Sequence, residues 1–328
     1  MADASKVNSV AVGDINTIIT PAIGDISKIV GTTIPSGGGF STQSLSHGTA
    51  NTTDAVYAAS TASGFQVIQS DEWSVSFWIK VGWTGSLNMS AHLIASNGPG
   101  GVHDDMWRVF YNENNNRLYF GFRSASSERS NNFWYFHHTG AGEAGAQSGL
   151  GTNYPSDNWM SSNPGYVNAD GFTLITITKG NTTTGAYANR ATAANVTAYW
   201  NAQNLGAAYY ANGNTNSTPA MTSGTARNFA IGNNSWNYGG AQGGDGVPSL
   251  YDEVALWDKE LTAAEVLEIW GGAGVLGETT GAPSNLQTSS MAANLIGYWR
   301  FETNGTVSTV GSATLTLDGS STTSTTHA

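Results

Sequence analysis

Hydrophobic and polar residues alternate with a period of two along several stretches of this chain. Trp73, Val75, Phe77, Ile79 and Val81 alternate with Ser74, Ser76, Trp78 and Lys80, and Leu118, Phe120 and Phe122 alternate with Tyr119 and Gly121. Successive side chains of an extended strand face opposite ways, so the pattern predicts half-buried β-strands. Apolar runs predict further strands at Phe172–Thr178, Val196–Trp200, Phe229–Ile231, Leu250–Trp257, Leu295–Phe301 and Ala313–Leu317. Turns rich in Gly, Asn and Ser separate them, and helical periodicity is almost absent. The expected fold is all-β: an antiparallel β-sandwich of the jelly-roll kind.

One short helix is specified by its ends. Thr262 with Glu265 three residues on makes a capping box, which satisfies two backbone donors that the first turn leaves unpaired. Leu261 and Val266 have the spacing of a hydrophobic staple; Val266, Ile269 and Trp270 form an apolar stripe, and Gly271-Gly272 supplies the stop. A helix over 263–270 is too short to persist alone, so it must pack on a sheet.

Three segments depart from the strand pattern. Residues 5–35 carry a repeat of period 11 in which Val7, Ile18 and Ile29 fall in register, as do Val12, Ile23 and Ile34, and Gly13-Asp14-Ile15 returns as Gly24-Asp25-Ile26. Each unit predicts a short β-branched strand and a Gly-Asp turn, and one unit alone cannot bury its apolar side. Val7, Val12, Ile15, Ile18, Ile23, Ile26 and Ile29 are therefore candidate anchoring residues that dock to neighbours. Pro35-Ser36-Gly37-Gly38-Gly39 then marks a flexible boundary, dividing an anchor at 1–38 from a jelly roll at 39–328. The polar, glycine-rich stretch Ser124–Asp170 is expected to be a long insert loop, and the Ser/Thr-rich residues 320–328 to fray.

Composition narrows the function classes. The 328 residues include 12 Lys and Arg against 23 Asp and Glu, a net charge of −11, and no cysteine. Disulfides and thiolate chemistry are thereby excluded, and so few cations argue against nucleic acid as a partner. No run is long and apolar enough for a membrane helix, and Met1–Lys6 lacks the pattern of a signal peptide, which leads to the expectation of a protein soluble as translated.

The segment from Leu250 to Val266, LYDEVALWDKELTAAEV, resembles the laminin-G-like, concanavalin A-like jelly-roll domains, in which a late strand with an Asp-Glu-Val motif runs into a helix opening Leu-Ser/Thr-x-x-Glu. Glu72–Lys80 is similar to the family's early inner strand and Leu295–Phe301 to its Gly-x-Trp strand, here placed after the helix. That order resembles the laminin-G-type structural proteins of marine bacteriophages, and Ser5–Ala11 resembles repeated leaders of phage virion proteins. The resemblance spans about residues 40–318 and implies a virion component. It also implies calcium as the candidate ion, because such domains hold it at a loop rim; Asp104, Asp105 and Asp245 are the candidate ligands by this resemblance.

Catalytic chemistry finds little support. Glycosidases on this fold need two carboxyls converging across a cleft, supplied by a Glu-x-Asp-x-x-Glu pattern that does not occur. Asp252-Glu253 is the nearest acidic pair, and alternation is expected to send its members to opposite faces. His137-His138 and His103-Asp104-Asp105 have no recurring ligand spacing, and no Gly-x-Ser-x-Gly elbow is found. Trp73, Phe77, Leu118, Phe120, Leu256 and Trp299 are assigned to the core. Trp134, Trp159, Trp236 and Tyr238, with Asn233, sit among Asn, Gly and Ser and are candidates for glycan contact or for a protein interface. The sequence is thus read as a non-enzymatic virion structural protein, a head decoration or tail-associated fibre component on the particle surface. It would be anchored to other virion proteins, homo-oligomeric and trimeric. The alternative is a lectin module for surface glycans. Neither nucleic acid nor membrane is a partner on this reading.

Overall fold

The computed structural model describes residues 28–29, 32–33, 44–47, 56–58, 72–81, 90–97, 106–112, 117–123, 131–137, 170–180, 196–205, 209–212, 228–232, 249–274, 280–302, 310, 314–317 and 322–324; side chains are described chiefly within 72–80, 170–180, 196–205, 249–274 and 280–302. The chain divides into two units, Met1–Phe40 and Ser41–Ala328. In the first, β1 (Lys28–Ile29) pairs antiparallel with β2 (Thr32–Thr33). Ile29 lies on β1; Val7, Val12, Ile15, Ile18, Ile23 and Ile26 lie outside the described residues.

In the second unit the strands are, in order, β3 (Ser44–His47), β4 (Val56–Ala58), β5 (Trp73–Val81), β6 (Ser90–Asn97), β7 (Met106–Asn112), β8 (Arg117–Arg123), β9 (Asn131–His137), β10 (Thr173–Lys179), β11 (Val196–Trp200), β12 (Gln203–Asn204), β13 (Tyr209–Asn212), β14 (Asn228–Ile231), β15 (Ser249–Trp257), β16 (Leu295–Trp299), β17 (Leu315–Leu317) and β18 (Thr322–Ser324), with α1 (Ala263–Trp270) after β15. They form two sheets, every pairing antiparallel. The first runs β12-β11-β10-β5-β15-β3-β18, with β16 also on β15, and the second runs β13-β9-β8-β7-β6-β14-β4-β17. This is an all-β sandwich with a single short helix among the described residues.

Strands β5, β10 and β15 of the first sheet are buried on both faces, not half-buried as the alternation of β5 implied. The inner face of the sheet carries the row Phe77–Ile175–Trp200 and, two residues along, Val75 with Ile177, Ala198 and Leu256. On the other face, Ser74, Ser76 and Trp78 are as inaccessible as their apolar neighbours. The reason is α1 and the turns that follow it. Trp78, Leu174, Ala255, Trp257 and Tyr298 pack there with Leu261, Val266, Ile269, Trp270, Leu286 and Met291 in one cluster. Trp78 stacks on Trp270 at 5.2 Å between ring centres. Ser74 is polar because its hydroxyl joins the sheet to the start of this cover, donating to the Lys259 carbonyl at 2.7 Å and accepting from the Leu261 N–H at 3.0 Å.

The helix has the predicted bounds and caps. The Thr262 hydroxyl accepts from the Glu265 N–H at 3.3 Å while the Glu265 carboxylate accepts from the Thr262 N–H at 2.8 Å. Burial alone would raise the Glu265 pKa, but the Lys259 ammonium and the two Thr262 donors bonded to the carboxylate outweigh it and hold the value low. Gly271 closes the helix at φ 72°, a left-handed conformation that glycine adopts without a Cβ penalty. Gly281 has a different role: a Cβ there would overlap the Trp270 indole. Two regions differ from expectation. Within Ser124–Asp170, residues 131–137 are a strand of the second sheet, where they pair along their whole length with β8. Within 320–328, β18 pairs with β3 instead of fraying, because Thr322–Ser324 offers β-compatible side chains to an open sheet edge.

Strand β15 contains the other surprise. Asp252 and Glu253 do not obey simple alternation, because the register shifts between Asp252 and Ala255 and Glu253 adopts φ 47°. This bulge inserts a residue and redirects the chain. Both carboxyls are buried, at 0% and 2% exposure, and the Glu253 N–H donates to Asp252 Oδ1 at 2.8 Å. The Tyr298 hydroxyl donates to Glu253 Oε2, and Arg300 Nε donates to Oε1 at 3.2 Å. Burial, reinforced by the neighbouring Asp252 charge, pushes the Glu253 pKa well above its usual 4.5 in spite of Arg300.

Two expected outcomes follow. Folding favours protonated Glu253, so its contribution is complete below about pH 4.5 and is lost as pH rises toward the folded value. The unfolding temperature of Glu253→Gln, measured by calorimetry across that range, should therefore fall less with rising pH than that of the parent; parallel profiles would refute the assignment. Gly281→Ala should destabilise by about 1–3 kcal/mol through overpacking against Trp270, seen as a lower urea midpoint at unchanged m-value.

Candidate functional site

The second sheet assembles residues that lie far apart in sequence. Ile94, Val109 and Ile231 are fully buried and share one register row, which extends through Phe120 and Trp134 to Tyr210 and defines the core face. Positions one residue along β7, β8, β9 and β13 belong to the opposite face, and on β6 a register shift between His92 and Ile94 brings His92 into line with them. There, the pairings His92↔Phe110, Phe110↔Tyr119, Tyr119↔Tyr135 and Tyr135↔Tyr209 align one histidine and four aromatic positions on five adjacent strands. Neighbouring strands lie about 4.8 Å apart, so the four aromatic positions extend over about 14 Å, the size of an oligosaccharide rather than of one sugar.

Two further rows flank this one on the same face. On one side Ala95, Arg108, Gly121 and Phe133 are partners in turn; on the other, Asn112, Arg117 and His137. Gly121 puts a position without a side chain between Arg108 and Phe133, where a partner's close approach to the backbone meets no Cβ. Chemically, the residue types in these rows combine flat rings, suited to the apolar side of a sugar ring, with hydroxyl, amide, imidazole and guanidinium groups, suited to its polar edge.

The acidic pair is built differently. Asp252 and Glu253 are both buried and held inside the protein: the Glu253 N–H donates to Asp252 Oδ1, Tyr298 and Arg300 bond to the Glu253 carboxylate, and Arg300 also approaches Glu302 at 4.0 Å. Their geometry is that of an internal strut joining β15 to β16 and the residues after it. Elsewhere on the first sheet, Lys80 donates to the Asp170 carbonyl at 2.8 Å and lies 5.7 Å above the Phe172 ring, and buried Lys179 donates to the Gly180 carbonyl at 3.2 Å.

Of the residues singled out from sequence, Trp134 is on β9 and not on a loop, and its row is that of buried Val109, so its position belongs to the core face. Trp159, Trp236, Tyr238 and Asn233 lie outside the described residues, as do Asp104, Asp105 and Asp245. Among the described residues, no group of three His, Asp or Glu side chains is placed to hold a metal. Trp73, Phe77, Leu256 and Trp299 are buried as expected for core. Sequence reasoning missed the aromatic row: Tyr119 was visible as one half of an alternation, but its alignment with Phe110, Tyr135 and Tyr209 exists only once four strands are in register.

No family model and no curated protein matches the chain. Among solved structures, it is similar to a protein of Bacteroides ovatus assigned to carbohydrate binding, at 12% identity and a TM-score of 0.44, over 88% of this chain and 61% of that one. The chain thus spans about three fifths of that relative's length. It is also similar to the heptameric SAP-like pentraxin of Limulus polyphemus, at 11% identity and a TM-score of 0.38, over 73% of this chain and 87% of that one. A third is the Ruminococcus gnavus IT-sialidase CBM40 bound to α2,3 sialyllactose, at 10% identity and a TM-score of 0.35, over 67% of this chain and 94% of that one. Similarity of this degree transfers neither their ligands nor their activities to this chain.

Proposed function

We propose that this chain is a non-enzymatic carbohydrate-binding module whose working surface is the non-core face of the second sheet. The carrying observation is the register alignment of Phe110, Tyr119, Tyr135 and Tyr209 across four adjacent strands, flanked by hydrogen-bonding residue types. A non-catalytic role is supported by the acidic pair: Asp252 and Glu253 are committed to internal bonds. Sugars would bind by association, with ring stacking supplying apolar area and the flanking groups setting orientation.

A second reading concerns placement, and the repeat at 5–35 favours it. Here the module is displayed on a virion, as a head decoration or tail-associated component, and the repeat attaches it to other virion proteins or to sibling chains in a trimer. Apolar strands that cannot bury themselves within one unit suit such docking by strand addition.

Each reading has its measurement. On a glycan array the intact chain should bind a restricted set of oligosaccharides, and Tyr135→Thr, which keeps β-propensity, should weaken binding by about 5- to 30-fold, the ~1–2 kcal/mol typical of an anchoring ring, at an unchanged unfolding midpoint. Full binding by that variant would refute the face. Removal of residues 1–38 should leave a folded sandwich that no longer joins particles, and normal incorporation would refute attachment through the repeat.

A further inference from the structure

The charge of the same face is out of keeping with the chain. Twelve Lys and Arg oppose 23 Asp and Glu overall, yet the eight strands of the second sheet carry three arginines and not one Asp or Glu. All three, Arg108, Arg117 and Arg123, fall on the non-core face. Arg108 shares a strand with Phe110, Arg117 and Arg123 share one with Tyr119, and all are separated from these by even numbers of residues. Moreover, they bracket the aromatic row. Arg108 and Arg123 lie to one side and Arg117 to the other, with Arg108 and Arg117 each two residues from the row, about 7 Å along the strand.

We infer that the face selects a carboxylate-bearing oligosaccharide, with Arg108 and Arg117 as the residues that set this specificity; the inference rests on the glycan-binding reading above. A guanidinium matches a carboxylate with two parallel N–H donors, and guanidinium positions on both flanks let an acidic sugar sit over the rings in either direction of its chain. A neutral sugar makes no use of these charges, whereas an acidic one gains from them and meets no carboxylate on the strands themselves. Longer polyanions fit less well. A net charge of −11 opposes a nucleic acid at every phosphate beyond the patch, while an oligosaccharide as long as the row meets mainly the patch itself.

The test uses the full chain in calorimetric titrations with oligogalacturonate and its carboxyl-reduced, neutral counterpart, at low and high salt. The acidic oligosaccharide should bind at least about 10-fold more tightly, a margin of ~1.4 kcal/mol, and should lose that margin as salt rises. Arg108→Gln and Arg117→Gln should each lower the margin, weakening the acidic oligosaccharide more than the neutral one, at an unchanged unfolding midpoint. Equal binding of both sugars overturns the inference and leaves the glycan reading standing, whereas binding of neither in this pair or on the array overturns both. Preferential binding of a single-stranded oligonucleotide, or salt-reversible self-association abolished by the arginine variants, also overturns it and gives the face another occupant.

Discussion

The architecture depends on covering the second face of the first sheet. A strand such as β5, with Ser74, Ser76 and Trp78 on one side, would be a poor centre for a sheet if that side met solvent, since the Trp78 ring would be bare. Stacking of Trp78 on Trp270 draws α1 onto the sheet, and the helix brings with it Val266 and Ile269. Losing a buried tryptophan of this kind costs about 3–5 kcal/mol, a large share of ordinary domain stability. The Ser74 bridge adds direction to what stacking supplies in strength, because a hydroxyl that both donates to Lys259 and accepts from Leu261 fixes how the chain turns into α1.

That cover also divides labour between the sheets. Once one face of the first sheet is taken by α1 and the turns through Asn294, where Ser290 donates to both oxygens of Glu268 and Asn294 to Asp258, its buried residues are committed to stability. The bulge at Glu253 belongs to this side, and its buried carboxyl exchanges bonds only with neighbours in the same wall. The proposed recognition surface falls on the other sheet, whose strands lack acidic residues altogether.

Much of the first sheet was legible. Strands β10, β11 and β15 and helix α1, like β14 of the second sheet, match the sequence pattern within a residue or so, because apolar runs bounded by Gly and Asn, and a Thr–Glu cap, are local signals. What failed was information held by partners. Ser74 and Ser76 look like solvent-facing residues until the helix that buries them is placed. Asn131–His137 looks like part of a polar loop because Gly-rich sequence surrounds it, and only pairing with β8 makes it a strand. Glu253 breaks alternation through one left-handed residue that no period-two pattern encodes. The aromatic row, likewise, is a property of register.

The placement of β17 and β18 bears on how the sandwich forms. These two short strands, a few residues apart, go to different sheets, one zipping onto β4 and the other onto β3. Each layer therefore has an edge completed by partners from opposite ends of the unit. Entropic loss on bringing such distant segments together comes before any reward, which slows formation of topologies of this type. Strands β3 and β4, near the start of the unit, therefore gain their outer neighbours only once residues 315–324 are in place.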